Sequence, residues 1–142
     1  MFKKILIPVD LSEPDMATPA LAEAQALAKA SGGELRLINV QSLLPATFMD
    51  YVPAGFDDEQ RGRAEQALKE LAGNIDLGGA ATVSSVVRVG GVYPEILAEA
   101  DAWGADLIVI GSHRPAMSTY LIGSNAKTVV RHARCSVLVV RR

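Results

Sequence analysis

A chain of 142 residues is one domain by size (1–142) and can bury a core without disulfides or metals. Its 49% apolar and 21% charged residues describe an ordinary globular protein and exclude a disordered chain. The net charge of −2 and the 5% aromatic content argue against a nucleic-acid-binding face.

No apolar run approaches the ~20 residues that cross a bilayer, so no membrane association is expected. Lys3 and Lys4 run straight into a short apolar stretch that Asp10 interrupts, which is not the pattern of a secretory signal. Cys135 is the single cysteine, so nothing calls for an oxidising compartment, and the expected location is the cytoplasm. The charge is unevenly spread. All 16 acidic residues lie between Asp10 and Asp106, against 8 basic ones in residues 1–106, a balance of −8. From Leu107 onward there are six basic residues and no acid. Basic residues at a helix end and a chain terminus complement backbone dipoles, which accounts for Arg131, Arg134, Arg141 and Arg142 without a ligand.

Five β-rich runs alternate with helical patterns. Strands are expected at Lys4–Val9, Glu34–Val40, Thr82–Val89, Asp106–Ile110 and Ser136–Val140. The first, fourth and fifth are continuous apolar runs, as strands covered on both faces are. Helices are expected near Pro14–Ala30, Asp57–Ala72, Pro94–Trp103 and Ser124–Ala133. This alternation implies parallel strands joined by right-handed crossovers. Pro19 either starts the first helix, with Thr18 as its N-cap, or kinks a helix begun at Ser12. Ser31-Gly32-Gly33 is similar to an ATP-pyrophosphatase loop, but it follows a helix and precedes a strand, and it reads better as a helix stop. The stripe Ala64, Ala67, Leu68 and Leu71 marks the buried side of the second helix, and Gly73-Asn74 ends it. Pro94 suits the first turn of the third helix, and Gly104 a left-handed cap. Gln41–Phe56 has no period and holds Pro45, Phe48, Tyr51, Pro53 and Phe56. Its length suits a lid or an oligomer contact.

In open parallel sheets ligands bind beyond the carboxyl ends of the strands. Two loops therefore matter: Pro8–Ser12 after the first strand, and Gly111–Ser124 after the fourth. The first three helices carry acids at or near their starts: Glu13 and Asp15, then Asp57–Glu59, then Glu95. The fourth begins Gly123-Ser124-Asn125-Ala126-Lys127 with none, so its positive dipole end is open to an anion such as phosphate. Gly123 allows close approach, Ser124 adds a hydroxyl donor, and His113 and Arg114 come from the same loop. Ser124 as a simple N-cap is the plainer reading. Asp10, at the end of a buried strand, either receives ribose hydroxyls, faces a hydrated metal, or caps the first helix. No Gly-x-Gly-x-x-Gly, Walker loop, metal-ligand cluster or Gly-x-Ser-x-Gly elbow occurs.

The same residues resemble the universal stress protein family over essentially the whole chain. The resemblance is carried by Lys4-Ile-Leu-Ile-Pro-Val-Asp-Leu-Ser12, Gly90, Ala105-Asp-Leu-Ile-Val-Ile-Gly-Ser-His113, Leu121-Ile-Gly-Ser124 and Cys135-Ser-Val-Leu-Val-Val140. Ser112-His-Arg-Pro115, with Thr119-Tyr120, is most similar to the F-type branch. The resemblance implies a single-domain α/β fold, an open parallel five-stranded sheet in the order 3-2-1-4-5 with helices on both faces. This is the Rossmann-like, adenine nucleotide alpha hydrolase-like architecture. It implies ATP, or ADP or AMP, with Mg2+ that Asp10 meets through water. By that comparison the Val40 backbone meets adenine, Pro8 and Val9 line the base pocket, Asp10 and Gly111 meet the ribose, and Gly123, Ser124 and Asn125 meet the phosphates.

The sequence departs from the family's Gly-x-x-Gly-x9-Gly-Ser/Thr pattern. Arg114 replaces the second glycine, Pro115 follows, and only eight residues separate it from Gly123. Arg114 either offers its guanidinium to phosphate or fills the site; the likeness to the F-type motif favours the first. In the implied order the last strand lies on an edge, and Val137–Val140 holds no charge or proline to blunt it, so a homodimer through this strand, or a tetramer, is expected. The function expected is a nucleotide-binding regulatory module in the stress response, at most a slow ATPase because no general base is evident. The alternative is a dimeric interaction protein that binds no nucleotide.

Overall fold

The computed structural model describes residues 2–12, 14–42, 55–79, 81–112 and 124–141. The expected alternation is present: β1 (Lys4–Pro8), α1 (Thr18–Ser31), β2 (Glu34–Gln41), α2 (Phe56–Gly73), β3 (Val83–Val89), α3 (Val92–Trp103), β4 (Leu107–Gly111), α4 (Ser124–His132) and β5 (Ser136–Val140). All pairings are parallel and the order is β3-β2-β1-β4-β5. The segment 43–54, expected as a lid or contact loop, lies outside the described residues. No helix among the described residues is long and apolar enough to cross a membrane.

The strand alternation splits the core in two. Ile5, Ile7, Leu35, Leu37 and Val109 face α1 and α2, whereas Leu6, Ile38, Ile108 and Ile110 face α3 and α4. Because β1 supplies both faces, its middle three residues are fully buried. Ala20, Ala24 and Ala28 recur every fourth position on α1 and are all buried, so small side chains let that helix lie close to the sheet. On α2 the buried stripe is Ala64, Leu68 and Ala72, with Leu71 packed at its margin.

Helix starts differ from expectation in two places. Pro14–Ala17 forms a 3-10 turn that leads into α1, so Ala17, not Thr18, occupies the N-cap and makes no side-chain cap bond. Ala17 is already in the right-handed helical region, which leaves no extended residue for a threonine cap; Pro19 falls in the first turn, where its missing N–H is no loss. α3 begins at Val92, two residues before Pro94, because the first turn of a helix needs no N–H from Pro94 either. The helix stops are as expected. Gly32 (φ 68°) and Gly104 (φ 80°) adopt left-handed caps closed onto Ala28 and Ala100.

A polar network absent from the sequence reading fixes α3 to the sheet. Glu99, only 6% exposed, takes Arg36 Nη1 on one oxygen (2.8 Å) and Arg88 Nε on the other (2.9 Å). Arg88 also reaches Glu95 (2.9 Å), and Arg36 lies over the Trp103 ring at 4.5 Å and donates to Ser84. Burial alone would lower the Arg88 pKa, but its bonds to Glu99 and Glu95 outweigh that and hold it above its usual value. Removing Glu99 leaves Arg36 without its carboxylate and Arg88 with Glu95 alone, in a half-buried site. Glu99→Ala is expected to cost about 2–3 kcal/mol, less than a fully buried pair because both arginines keep some water. Thermal unfolding followed by circular dichroism should show a loss of roughly 5–10 °C; an unchanged midpoint would remove the network from the account.

Candidate functional site

The sheet order makes β1 and β4 the switch point. Their connections leave toward opposite sides: β1 leads through α1 to β2, and β4 through α4 to β5. The pairing between them is short. Asp106 ties the starts of the two strands together, its carboxylate accepting from the backbone N–H of Lys3 (2.8 Å) and Lys4 (3.0 Å). The ladder then holds only Ile5–Leu107 and Leu6–Ile108, while β1–β2 and β4–β5 each pair over five positions. Beyond Leu6 and Ile108 no further β1–β4 pair forms, and the ends Pro8–Asp10 and Gly111–Ser112 stand at the carboxyl side of this switch point.

Each wall is held by its outer neighbour. On the β1 side, Val9 N–H donates to the Ile38 carbonyl (2.8 Å), and the buried Asn39 side chain donates Nδ2–H to the Val9 carbonyl (2.8 Å). Asp10 follows, exposed, in a tight turn: its Oδ1 accepts from Ser12 N (3.0 Å) and Ser12 Oγ (2.6 Å). This turn, rather than a cap on α1, is what the Asp10 carboxylate supports. On the β4 side, Ser112 N–H continues the ladder to Val140 (3.0 Å), and Ser112 is buried.

Backbone direction adds Val40. Ile38 offers its carbonyl to β1, and Gln41 offers its carbonyl to Gly90 N–H on the β3 side (2.9 Å). Backbone groups alternate sides along a strand, so the Val40 N–H and C=O point toward β1, at the level where β1 has ended. Pro8, Val9, Asp10, Val40 and Gly111 are thus gathered at one end of the sheet. Asn125 is exposed on the first turn of α4, and Ser124 is its first residue. His113, Arg114 and Gly123 lie outside the described residues.

The start of α4 carries no acid, but the contrast with the other helices is weaker than expected. α1 also has none in its first turn, because the 3-10 turn takes Asp15 ahead of the helix proper. The carboxylates expected at the other starts are present on α2 (Asp57, Asp58, Glu59) and α3 (Glu95). Among the described residues no three His, Cys, Asp or Glu side chains gather as a metal site. Burial pushes the Cys135 thiol up, a backbone hydrogen bond partly opposes it, and Asp101 and Asp106 push it further, so this thiol is not an activated nucleophile.

Two polar side chains at this end of the sheet that the sequence did not single out are Asn39 and Gln41, whose Nε2 donates to Asn39 Oδ1. The available signal was a single amide interrupting the apolar run Leu37–Val40 just where a strand end meets the ligand side of a sheet.

The model of the universal stress protein family matches residues 1–141. The universal stress protein G of Shigella flexneri is 34% identical, over 99% of this chain and all of its own. Among solved structures, hypothetical protein MJ0577 superposes with a TM-score of 0.83 at 28% identity, covering all of this chain and 97% of its own. A universal stress protein in complex with cAMP shares the fold at a TM-score of 0.72 and 20% identity, over 98% of this chain and 97% of its own. The full-length relatives named universal stress protein G make the matches consistent with a G-type branch and not with the F-type likeness expected from Ser112-His-Arg-Pro115. With a full-length family match and a full-length relative above 30% identity, the chain belongs to the universal stress protein family.

Proposed function

We propose that the protein binds an adenine nucleotide in the crevice between β1 and β4 and acts as a regulatory module whose nucleotide state alters its partners. The observation that carries this reading is the early parting of the β1–β4 ladder, with the Val40 backbone directed into the space beside it. A peptide N–H and C=O side by side match the acceptor and donor edge of adenine, and this recognition needs no particular side chain at position 40. Pro8 and the buried Val9 supply apolar surface for the base. Asp10 and Gly111 stand where the ribose would lie, the carboxylate accepting from sugar hydroxyls. The phosphates would then run toward the start of α4, where Gly123, Ser124 and Asn125 offer backbone donors and the helix dipole favours negative charge. His113 and Arg114 would add donors from the loop between.

Support from relatives is of the same kind: a protein of this fold was solved in complex with cAMP, which carries the same base and sugar. ATP is the ligand favoured, with ADP and AMP as the lesser members of the class. Mg2+ would arrive with the phosphates and keep its waters, one of them facing Asp10, and would neutralise phosphate charge.

The nucleotide can be sought directly. Mass spectrometry of denatured, freshly purified protein is expected to show a co-purified adenine nucleotide. Calorimetric titration with Mg-ATP should give binding that Gly123→Val weakens at least tenfold, by crowding the backbone near phosphate. An absence of heat in wild type as well as variant, with no co-purified nucleotide, would favour a protein of this fold that works without one.

Assembly is proposed through β5. This strand is a sheet edge, and Leu138 on it and Val130 on α4 are both large apolar residues left exposed, at 37% and 45%. An open edge with apolar side chains favours pairing with a second copy, either as a homodimer or within a tetramer. Light scattering after size exclusion is expected to give twice the 15.0 kDa chain mass or a higher multiple. Leu138→Lys should shift the population toward monomer; a wild type that runs as a monomer at micromolar concentration would contradict the assignment.

A further inference from the structure

Three polar side chains are buried among the described residues: Asn39, Glu99 and Ser112. Glu99 is accounted for by its two arginines. Asn39 carries no charge and makes no ion pair. It sits at 4% exposure on the face of β2 that carries Leu35 and Leu37, where an apolar side chain would avoid desolvating an amide. Both ends of that amide are nevertheless engaged. Nδ2 donates to the Val9 carbonyl at 2.8 Å, and Oδ1 accepts from Gln41 Nε2. The side chain is thus a brace between the end of β1 and the end of β2.

What it braces is specific. The Val9 carbonyl belongs to the Val9–Asp10 peptide, and a peptide group is planar, so fixing the direction of that oxygen fixes the plane of the Asp10 amide. Val9 N–H is held as well, by the Ile38 carbonyl at 2.8 Å. With both faces of Val9 tied to β2, the Asp10 side chain leaves the backbone from a set position, and its turn to Ser12 completes the placement. On the other side of the brace, Gln41 directly follows Val40, whose backbone points toward the same gap.

We propose that Asn39 is a positioning residue for the nucleotide: through the Val9 carbonyl it sets the spacing between the sugar-facing Asp10 carboxylate and the base-facing Val40 backbone. The inference rests on the nucleotide reading of the crevice and deepens it. Asn39 acts through Val9 and Asp10, so its loss should be felt most at the ribose. Asn39→Asp keeps the shape but replaces the donor with an oxygen that repels the Val9 carbonyl. Gln41→Ala leaves Asn39 in place and removes only its second tether.

The test is calorimetric titration of wild type, Asn39→Asp and Gln41→Ala with Mg-ATP and with Mg-2′-deoxy-ATP, at a temperature where circular dichroism shows each protein folded. Wild type is expected to prefer ATP. Asn39→Asp should weaken ATP at least tenfold and bring the ratio of the two affinities close to one; Gln41→Ala should move both quantities in the same direction by a smaller factor. A folded Asn39→Asp with a lowered melting point but wild-type affinity and ratio would make Asn39 merely structural and overturn the proposal. Should that variant not fold, Gln41→Ala decides, and unchanged affinity and ratio there overturn it equally. A wild type that binds both nucleotides alike removes the route through Asp10. No binding of either by wild type contradicts the nucleotide reading itself, and the proposal falls with it.

Discussion

Two adjacent parallel strands that stop pairing before their carboxyl ends set the terms for everything else in this molecule. Asp106 closes the lower end of the β1–β4 seam, two residue pairs follow, and then the strands part. The parting is tolerable because each strand is paired over its whole length on its far side, β1 with β2 and β4 with β5. The two connections lie on opposite faces of the sheet, α1 packing across β1 and β4 on one side and α4 on the other. At that end of the sheet the Val40 backbone N–H and C=O point toward β1 past its last pair, which is the feature the nucleotide proposal uses.

The two polar systems built around the sheet do different jobs. The Arg36–Glu99–Arg88–Glu95 network, with Trp103 over Arg36, lies on the α3 face and ties that helix to β2 and β3. It is a matter of stability, with each charge matched. The Asn39–Val9–Gln41 brace lies at the strand ends and carries no charge. It fixes a backbone direction, which is the kind of precision a binding site needs and a core does not.

Much of the fold was legible because its signals are local and redundant. The continuous apolar run Lys4–Val9 marks a strand covered on both faces, although the similar run of β5 turns out to be a partly exposed edge, and Gly32 and Gly104 mark helix ends by a backbone conformation other residues resist. Helix starts were less legible. Pro19 and Pro94 each fit several positions in a first turn, since none of those N–H groups is needed. The site was half legible. Asp10 and Gly111 could be named as candidates from strand ends alone, but the Asn39 bond could not, because its partner is a carbonyl thirty positions earlier in the chain. The arginine network was hidden for the same reason: Arg36 and Arg88 look like ordinary alternating strand residues until α3 brings Glu99 between them.

The nucleotide account makes a spatial claim, that one end of one seam receives the ligand. An amide NMR titration with Mg-ATP addresses it most directly. The account predicts that the largest shift changes fall on Val9, Asp10, Val40, Gly111 and Asn125, with α2 and the edge of β3 unmoved. Changes concentrated instead along Arg61, Lys69 and Ser85, in the groove between α2 and β3, would contradict it.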